Sequence, residues 1–106
     1  MFVVANRVYV TSEWADKFEE RFRNRAGQIE KQVGFVRMEI LRPLNEGSPY
    51  VVLTTWKDQQ AFENWVGGDD FKRAHQNPLP KEAFSREGQF EQHEIIISAN
   101  SKSYNS

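Results

Sequence analysis

The amino-acid sequence predicts one α+β domain with the element order β-α-β-β-α-β. The chain has 106 residues, of which 39% are hydrophobic, so there is room for one domain and enough apolar side chains for a core. Four segments are rich in β-branched and aromatic residues, as strands are. Two segments with helical spacing separate the first strand from the second and the third strand from the fourth.

The first strand and the first helix are predicted in the first third of the chain. Residues 2–10 alternate between two faces, which is the period of a strand. Thr11 and Ser12 are suitable caps for a helix over about residues 13–32, and Gly34 is a natural stop after it. The apolar residues that recur there at mostly helical spacing are Trp14, Phe18, Phe22, Ile29 and Val33.

A hairpin and a second helical region are predicted in the middle of the chain. Residues 35–42 and 50–56 are β-rich and are separated by a loop that contains two prolines and a glycine. Asp58 is a suitable N-terminal cap for the second helix, which a glycine pair at residues 67–68 interrupts. A short helix restarts after the glycine pair and closes before Pro78.

The last third of the chain predicts a loop, a strand and a tail. Residues 78–89 have no useful period, so we predict a loop there and consider it a candidate lid. Residues 93–98 predict the last strand, and residues 99–106 are a polar tail that we expect to be frayed. Residues 1–98 therefore form the single predicted domain.

The order of elements is the split β-α-β, or ferredoxin-like, pattern. A sheet of this kind carries helices on one face only. The second strand offers Val36, Met38 and Ile40 on one side and Phe35 and Leu41 on the other, so both faces read as apolar. Because soluble monomers rarely expose a large apolar patch, we predict a homodimer that packs sheet against sheet as a dimeric α+β barrel. A polar helix-free face would count against this prediction.

Composition and charge exclude several classes of function. Fourteen Lys and Arg against fifteen Asp and Glu give a net charge of -1. A protein that binds nucleic acid or an anionic membrane typically has an excess of positive charge, which this chain does not have. No apolar run approaches the length of a membrane span, and the N-terminus does not resemble a secretory signal, so we expect a cytoplasmic protein. The chain has no cysteine, which removes disulfides, iron–sulfur clusters and thiolate chemistry.

Asn6 and Trp65 each allow a structural and a functional reading. Asn6 stands between Val4 and Val8 on a strand face that we expect to be buried, and an unpartnered buried amide costs about 1–3 kcal/mol. Its amide is therefore either bonded to a neighbouring loop or directed into a pocket. Trp65 follows Phe62 by three residues on the second helix, a spacing that is typical of core aromatic residues.

His75 has the same ambiguity. It follows Phe71 by four residues at the C-terminal end of a short helix, where a cation is favourable to the helix dipole. Asp69 and Asp70 lie off its face, so no second side chain completes a metal shell with it. A single histidine is nevertheless sufficient to hold haem, because haem supplies four equatorial nitrogens itself. The acidic pair at residues 19–20 lies among arginines and reads as a solvated helix face.

Three positions and the segments around them resemble a known family. Thr54-x-Trp56-Lys57, Ala61-Phe62-x-x-Trp65 and Phe71-Lys72-x-Ala74-His75 match its sequence pattern, and Asn6-Arg7 lies at the matching place in the first strand. The chain resembles the IsdG-type haem-degrading monooxygenases, within the antibiotic biosynthesis monooxygenase superfamily of dimeric ferredoxin-like barrels. The resemblance covers essentially residues 2–98.

This resemblance implies an enzyme for which haem is both cofactor and substrate. It implies that His75 ligates the iron, that Trp65 presses against the porphyrin and distorts it, and that the Asn6 amide donates a hydrogen bond to a ligand of the iron. Oxygen, an external reductant and a reductase partner are then required, and iron is released. The other residues that the resemblance places at the cofactor are Arg21, Phe22, Arg25 and Phe71. The two guanidinium groups face either the propionates or the carboxylates of Glu19 and Glu20.

Other functions fit the same fold. The superfamily also contains monooxygenases that oxidise aromatic or quinol substrates without a metal, and small regulatory dimers without catalysis. A non-catalytic haem-binding module is a further alternative. Fold analogy does not choose between them.

Overall fold

The structure is a computed structural model, and it describes residues 1–25 and 27–101. The described residues form four strands and three α-helices, which are connected by loops and by three single 3-10 turns. The elements are β1 (Phe2–Val8), α1 (Ala15–Arg23), β2 (Phe35–Leu41), β3 (Tyr50–Trp56), α2 (Gln59–Val66), α3 (Asp69–Ala74) and β4 (Gln89–Glu94); the 3-10 turns are Ser12–Trp14, Ile29–Lys31 and Lys81–Ala83.

The strands form one antiparallel sheet in the order β2-β3-β1-β4. The first strand is therefore central, and Asn6 in its middle pairs with Val52 of β3 and with Phe90 of β4. This order, with a helical connection after β1 and another after β3, confirms the predicted ferredoxin-like α+β class.

The hydrophobic core lies between the sheet and the helical layer at one end of β1. Val4, Ile29, Trp56, Ala61 and Trp65 form one buried cluster. Trp56 is fully buried, and its Nε1 donates a hydrogen bond to Thr54 Oγ1 at 3.0 Å, which satisfies the indole N–H away from water. The core therefore binds β1 and β3 to α2.

The first helix is shorter than predicted. It ends at Arg23, and Gly27 has a φ of 74°, a left-handed conformation that an α-helix does not contain. The predicted range included residue 26, which lies outside the described residues. A single 3-10 turn then places Ile29 in the core, whereas Val33 is 92% exposed and not part of an apolar stripe.

The second helical region agrees with its prediction. Asp58 caps α2, since its Oδ1 accepts a hydrogen bond from the backbone N–H of Ala61 at 2.9 Å. The helix ends at Val66, before the glycine pair, and α3 restarts at Asp69. His75 is the C-cap residue of α3.

The last strand and the preceding loop differ from their predictions. Pairing with β1 ends where Phe2 meets Glu94, so β4 covers residues 89–94, and a last backbone hydrogen bond follows it from Ile95 N–H to Met1 O at 2.9 Å. The predicted lid is tied to the end of β1, because Thr11 N–H donates to Ala83 O and Ser85 N–H donates to Tyr9 O, each at 2.9 Å. Residues 102–106 of the predicted tail lie outside the described residues.

The helix-free face of the sheet is mixed, which corrects the prediction that both faces are apolar. On this face Arg7 forms an ion pair with Glu91 of β4 at 3.2 Å, and Arg37 forms one with Glu39, two residues further along β2, at 3.5 Å. A bulge between Phe35 and Arg37 in β2 moves Phe35 to the helix-facing side with Met38 and Ile40, whereas the sequence predicted it on the side of Leu41. The apolar part is confined to the middle of β1 and β3, with Leu41 beside it. Within the described residues, no helix has the length and hydropathy of a membrane span.

Candidate functional site

Asn6 lies on the helix-facing side of the sheet but is exposed, which corrects the prediction of a buried amide. Along β1, Val4 is covered by α2 through the core cluster, while Tyr50, which pairs with Val8, is covered by Phe18 of α1. Asn6 is the inward-facing residue between these two covered positions. Its side-chain amide has no hydrogen-bond partner among the described residues, so both its donors are available to a ligand.

Trp65 is a core residue in this structure, 6% exposed and packed in the cluster with Val4. Helical spacing on α2 places it one turn after Ala61, which belongs to the same cluster. At its other side it meets the ring of Phe71 edge to face, with ring centroids 5.5 Å apart. The indole is thus fixed on one side by the core and on the other by α3.

His75 is exposed at the end of α3 and is held by Phe71 in two ways. Its Nδ1 lies 2.8 Å from the carbonyl oxygen of Phe71, and the two rings lie with centroids 4.1 Å apart and a tilt of 31°. A carbonyl oxygen only accepts hydrogen bonds, so a hydrogen bond here requires the proton on Nδ1, and Nε2 of a neutral ring then keeps a free lone pair. This is the arrangement that a metal-ligating histidine requires.

The predicted site residues are thus partly brought together. Trp65, Phe71 and His75 form a continuous row of ring contacts from the core to the surface. Asn6 adjoins the same core cluster through Val4, two residues before it on β1.

The residues predicted on α1 lie around a different opening. Phe22 and Arg25 line a cleft of about 400 Å³ between α1 and the ends of β2 and β3, which Asn6, Trp65 and His75 do not line. Arg25 is already engaged, since it donates to Phe22 O at 2.9 Å and to Glu30 Oε2 at 2.8 Å.

Arg21 does not line that cleft. Its guanidinium donates to the carbonyl oxygen of Asn77, two residues after His75. The contact ties α1 to the segment that follows α3.

Glu19 is the main residue of the cleft that sequence reasoning missed. Its side chain is 12% exposed rather than solvated, and Arg42 binds both its oxygens, with Nε at 2.7 Å and Nη2 at 2.5 Å. Tyr50 also donates to it, and Arg23 lies at 3.0 Å. The hydrogen bonds from Arg42 and Tyr50 lower the pKa of Glu19 to about 2.

A signal for Glu19 was present in the sequence. Residues 15, 18, 19 and 22 share one helical face by spacing, and Phe18 and Phe22 mark that face as the inner one. A carboxylate on the inner face of a helix needs partners, which here come from the hairpin after it.

A metal ion without a macrocycle has no prepared site in the part of the chain that the structure describes. No group of three or more histidine and carboxylate side chains is suitably placed there. His75 is therefore a single potential ligand, and it fits a group that brings its other donors with it.

A family model and a curated protein match this chain. The family model described as antibiotic biosynthesis monooxygenase matches residues 1–77. A curated protein named haem oxygenase (staphylobilin-producing), from Staphylococcus haemolyticus, is 39% identical over 79 residues, which cover 73% of this chain and 75% of that protein.

Solved structures share the fold. The haem degrader MhuD of Mycobacterium tuberculosis, with two haems bound in its active site, aligns with a TM-score of 0.78 at 24% identity, covering 94% of this chain and all of that one. A MhuD variant with two manganese protoporphyrin IX molecules per active site gives a TM-score of 0.81 at 24% identity, covering 95% and 100%. At this identity the likeness concerns the fold alone. The matched family model and the curated relative together show that the chain belongs to the antibiotic biosynthesis monooxygenase family, as its resemblance implied.

Proposed function

We propose that this protein is a haem-degrading monooxygenase that binds haem through His75 and opens the porphyrin with O2 and external electrons, releasing iron. The observation that carries the proposal is the exposed imidazole whose Nδ1 is bonded to Phe71 O, because this leaves Nε2 free to ligate. The 39% identical relative named haem oxygenase supports the same assignment.

The residues present fit a haem. One neutral nitrogen ligand is available, and the macrocycle supplies the remaining equatorial donors. A row of rings from Trp65 to His75 offers an apolar wall, and the free amide of Asn6 offers a neutral donor. When bound, haem supplies the iron that activates O2 and is itself the molecule oxidised.

Each side chain has a distinct task in this proposal. His75 binds through Nε2 and fixes the position of the iron. Asn6 donates a hydrogen bond and keeps its proton, because a side-chain amide does not ionise near neutral pH. Trp65 is held by the core, so a flat ligand that enters beside it meets a ring that cannot move aside.

Residues of α1 and of the turn that follows it are assigned to the propionates and the edge of the ligand. Arg21 and Arg25 are exposed cations that can form charge-assisted hydrogen bonds to carboxylates, in exchange for their present contacts to Asn77 and Glu30. Phe22 lies between them on the helix and lines the cleft.

The proposal includes partners and a place in the cell. A homodimer packed sheet against sheet covers the apolar middle of the helix-free face. The described residues include no cysteine, and the sequence has no flavin motif, so a separate reductase supplies the electrons. We assign the protein to the cytoplasm.

Turnover tests the proposal. The protein is loaded with haemin and supplied with ascorbate and O2, with catalase present so that free hydrogen peroxide is not the oxidant. We expect the haem absorption to bleach and one iron to be released per haem, measured with an Fe(II) chelator.

Three results would contradict the proposal, and each supports a different alternative. Tight binding without bleaching indicates a haem-binding module. Oxygen uptake with a hydroquinone but no haem binding indicates a cofactor-free monooxygenase. A melting temperature that neither ligand changes indicates a non-catalytic interaction domain.

A further inference from the structure

We propose that Phe71 is the positioning residue of His75, through its main-chain carbonyl and through its ring. The carbonyl fixes which nitrogen of the imidazole carries the proton, and the ring fixes the rotation of the imidazole. The inference rests on the proposed function, in which Nε2 of His75 is the atom that binds iron.

The carbonyl contact follows from the way α3 ends. The last carbonyl oxygens of a helix lack a full set of helical partners. Phe71 O accepts the backbone N–H of His75 at 3.2 Å and also the Nδ1–H of the same residue at 2.8 Å. The ring bond is the shorter of the two, and it holds the imidazole in the Nδ1–H form, with Nε2 directed away from the helix backbone.

The ring contact supports one face of the imidazole. The centroids of Phe71 and His75 are 4.1 Å apart with a tilt of 31°, which is a partly stacked arrangement. Phe71 is in turn half-buried against the core and meets Trp65 edge to face at 5.5 Å. An otherwise exposed side chain is therefore fastened to the core through one aromatic ring.

This arrangement fixes the orientation of the His75 imidazole before haem binds. A histidine that is exposed and unsupported samples several rotamers and both neutral forms, and binding must then select one of them. A hydrogen bond to the second nitrogen also makes the ligating nitrogen a stronger donor. Loss of such a partner typically costs about 10–100-fold in metal affinity.

The first experiment measures the proton position in the haem-free protein. Long-range 1H–15N NMR correlations of the histidine rings, recorded at alkaline pH where histidine is neutral, distinguish the two neutral forms. The chain has only two histidines, and the His93→Gln variant assigns the signals. We expect His75 in the Nδ1–H form, whereas an unconstrained histidine favours the proton on Nε2.

The second experiment removes the ring and keeps the carbonyl. Phe71→Leu should shift the ring 1H signals of His75, because the aromatic ring current is lost, and should weaken haemin binding about tenfold. The electron paramagnetic resonance signal of the ferric complex should broaden, because the imidazole is no longer held at one rotation. Phe71→Tyr, which keeps the ring, should restore all three properties.

Phe62→Leu is the matched control. Phe62 is also half-buried against the core, but its ring contacts are with Phe2, Trp56 and Phe90 rather than with His75. It should lose comparable stability without changing the His75 signals.

Two results overturn the inference. One is an Nε2–H form of His75 in the haem-free wild type. The other is a set of His75 signals and a haemin affinity that Phe71→Leu leaves unchanged. Failure of the proposed function is seen separately, as a wild-type protein that binds no haemin at all.

Discussion

Asn6 and His75 are exposed polar residues, so substitutions at these two positions separate ligand chemistry from folding. Exposed side chains away from structural contacts contribute within about 0.5 kcal/mol of stability. Trp65, 6% exposed in the core, does not offer this separation, because its truncation costs about 3–5 kcal/mol.

Asn6→Ala tests the role of the amide. We expect the variant to bind haemin with nearly the affinity of the wild type and to bleach it about 100-fold more slowly, since loss of one directed donor costs that much in rate. Stopped-flow absorbance with ascorbate and O2 measures both properties. Unchanged bleaching would show that the Asn6 amide does not donate a hydrogen bond that assists the reaction.

At the scale of single residues, the sequence indicated candidate side chains but not their surroundings. The types and spacing of Asn6, Trp65 and His75 left a structural and a functional reading open, and the family resemblance selected these residues as candidates. The exposure of Asn6 was not predictable, because it depends on two helices, α1 and α2, that cover its neighbours and leave a gap between them. The Phe71 carbonyl contact was also hidden, since it arises from the end of α3.

Among the elements, α1 is fastened to the hairpin by the Glu19 carboxylate. Its pKa is about 2 in the folded chain against an ordinary 4.5, so the folded state favours the ionised form. The stabilisation of the folded state by Glu19 is complete above pH 4.5 and is lost as the pH falls from 4.5 to about 2.

Urea unfolding across that window measures this contribution. We expect Glu19→Gln to be less stable than the wild type at neutral pH, and the difference to shrink steadily as the solution is acidified. Glu20→Gln, a change at the exposed neighbour, should follow the wild type throughout. A difference for Glu19→Gln that does not depend on pH would contradict the assigned pKa.

Gly34 lies directly before β2 and packs against Ala61 of α2. Its φ is +84°, and a Cβ at this position would lie 2.5 Å from Ala61 Cβ. We expect Gly34→Ala to destabilise the protein by about 2–4 kcal/mol, from the left-handed backbone together with overpacking.

Gly47→Ala separates the two causes. Gly47 has nearly the same φ, +81°, but its Cβ would meet nothing within 4 Å, so only the backbone cost of about 1–2 kcal/mol remains. Denaturant midpoints compare the two variants. Equal losses would show that the contact with Ala61 is relieved by a small shift.

Element prediction succeeded where local chemistry decides the boundary. The Asp58 cap and the glycine pair after Val66 gave the limits of α2 correctly. The prediction of α1 was too long because Ile29 follows Phe22 at a helical spacing, although the helix has already ended at Arg23 and Gly27 has a left-handed backbone. The prediction of β4 failed because strand ends depend on the length of the partner, and β1 begins at Phe2.

For the whole molecule, the helix-free face and the segment after β4 bear on assembly. Leu53 pairs with Ala5 in the apolar middle of that face, and Ile96 and Ile97 are each 84% exposed. The ion pairs beside Leu53 restrict a partner to a narrow apolar strip, which favours one register of packing.

Leu53→Asp tests the proposed homodimer. We expect the wild type to sediment with twice the mass of one chain and the variant to sediment as a monomer, because a carboxylate would be buried without a partner. Leu44→Asp, at a loop position that is 94% exposed, should remain dimeric. A monomeric wild type would contradict the proposed assembly.

Haemin titration of wild type, His75→Ala and His93→Ala is the most direct test of the assignment as a whole. The account predicts a sharp Soret band with one haem per chain for the wild type and for His93→Ala, and no such band for His75→Ala with its melting temperature preserved. A Soret band that survives the loss of the residue 75 imidazole, or that disappears with the residue 93 imidazole, would contradict it.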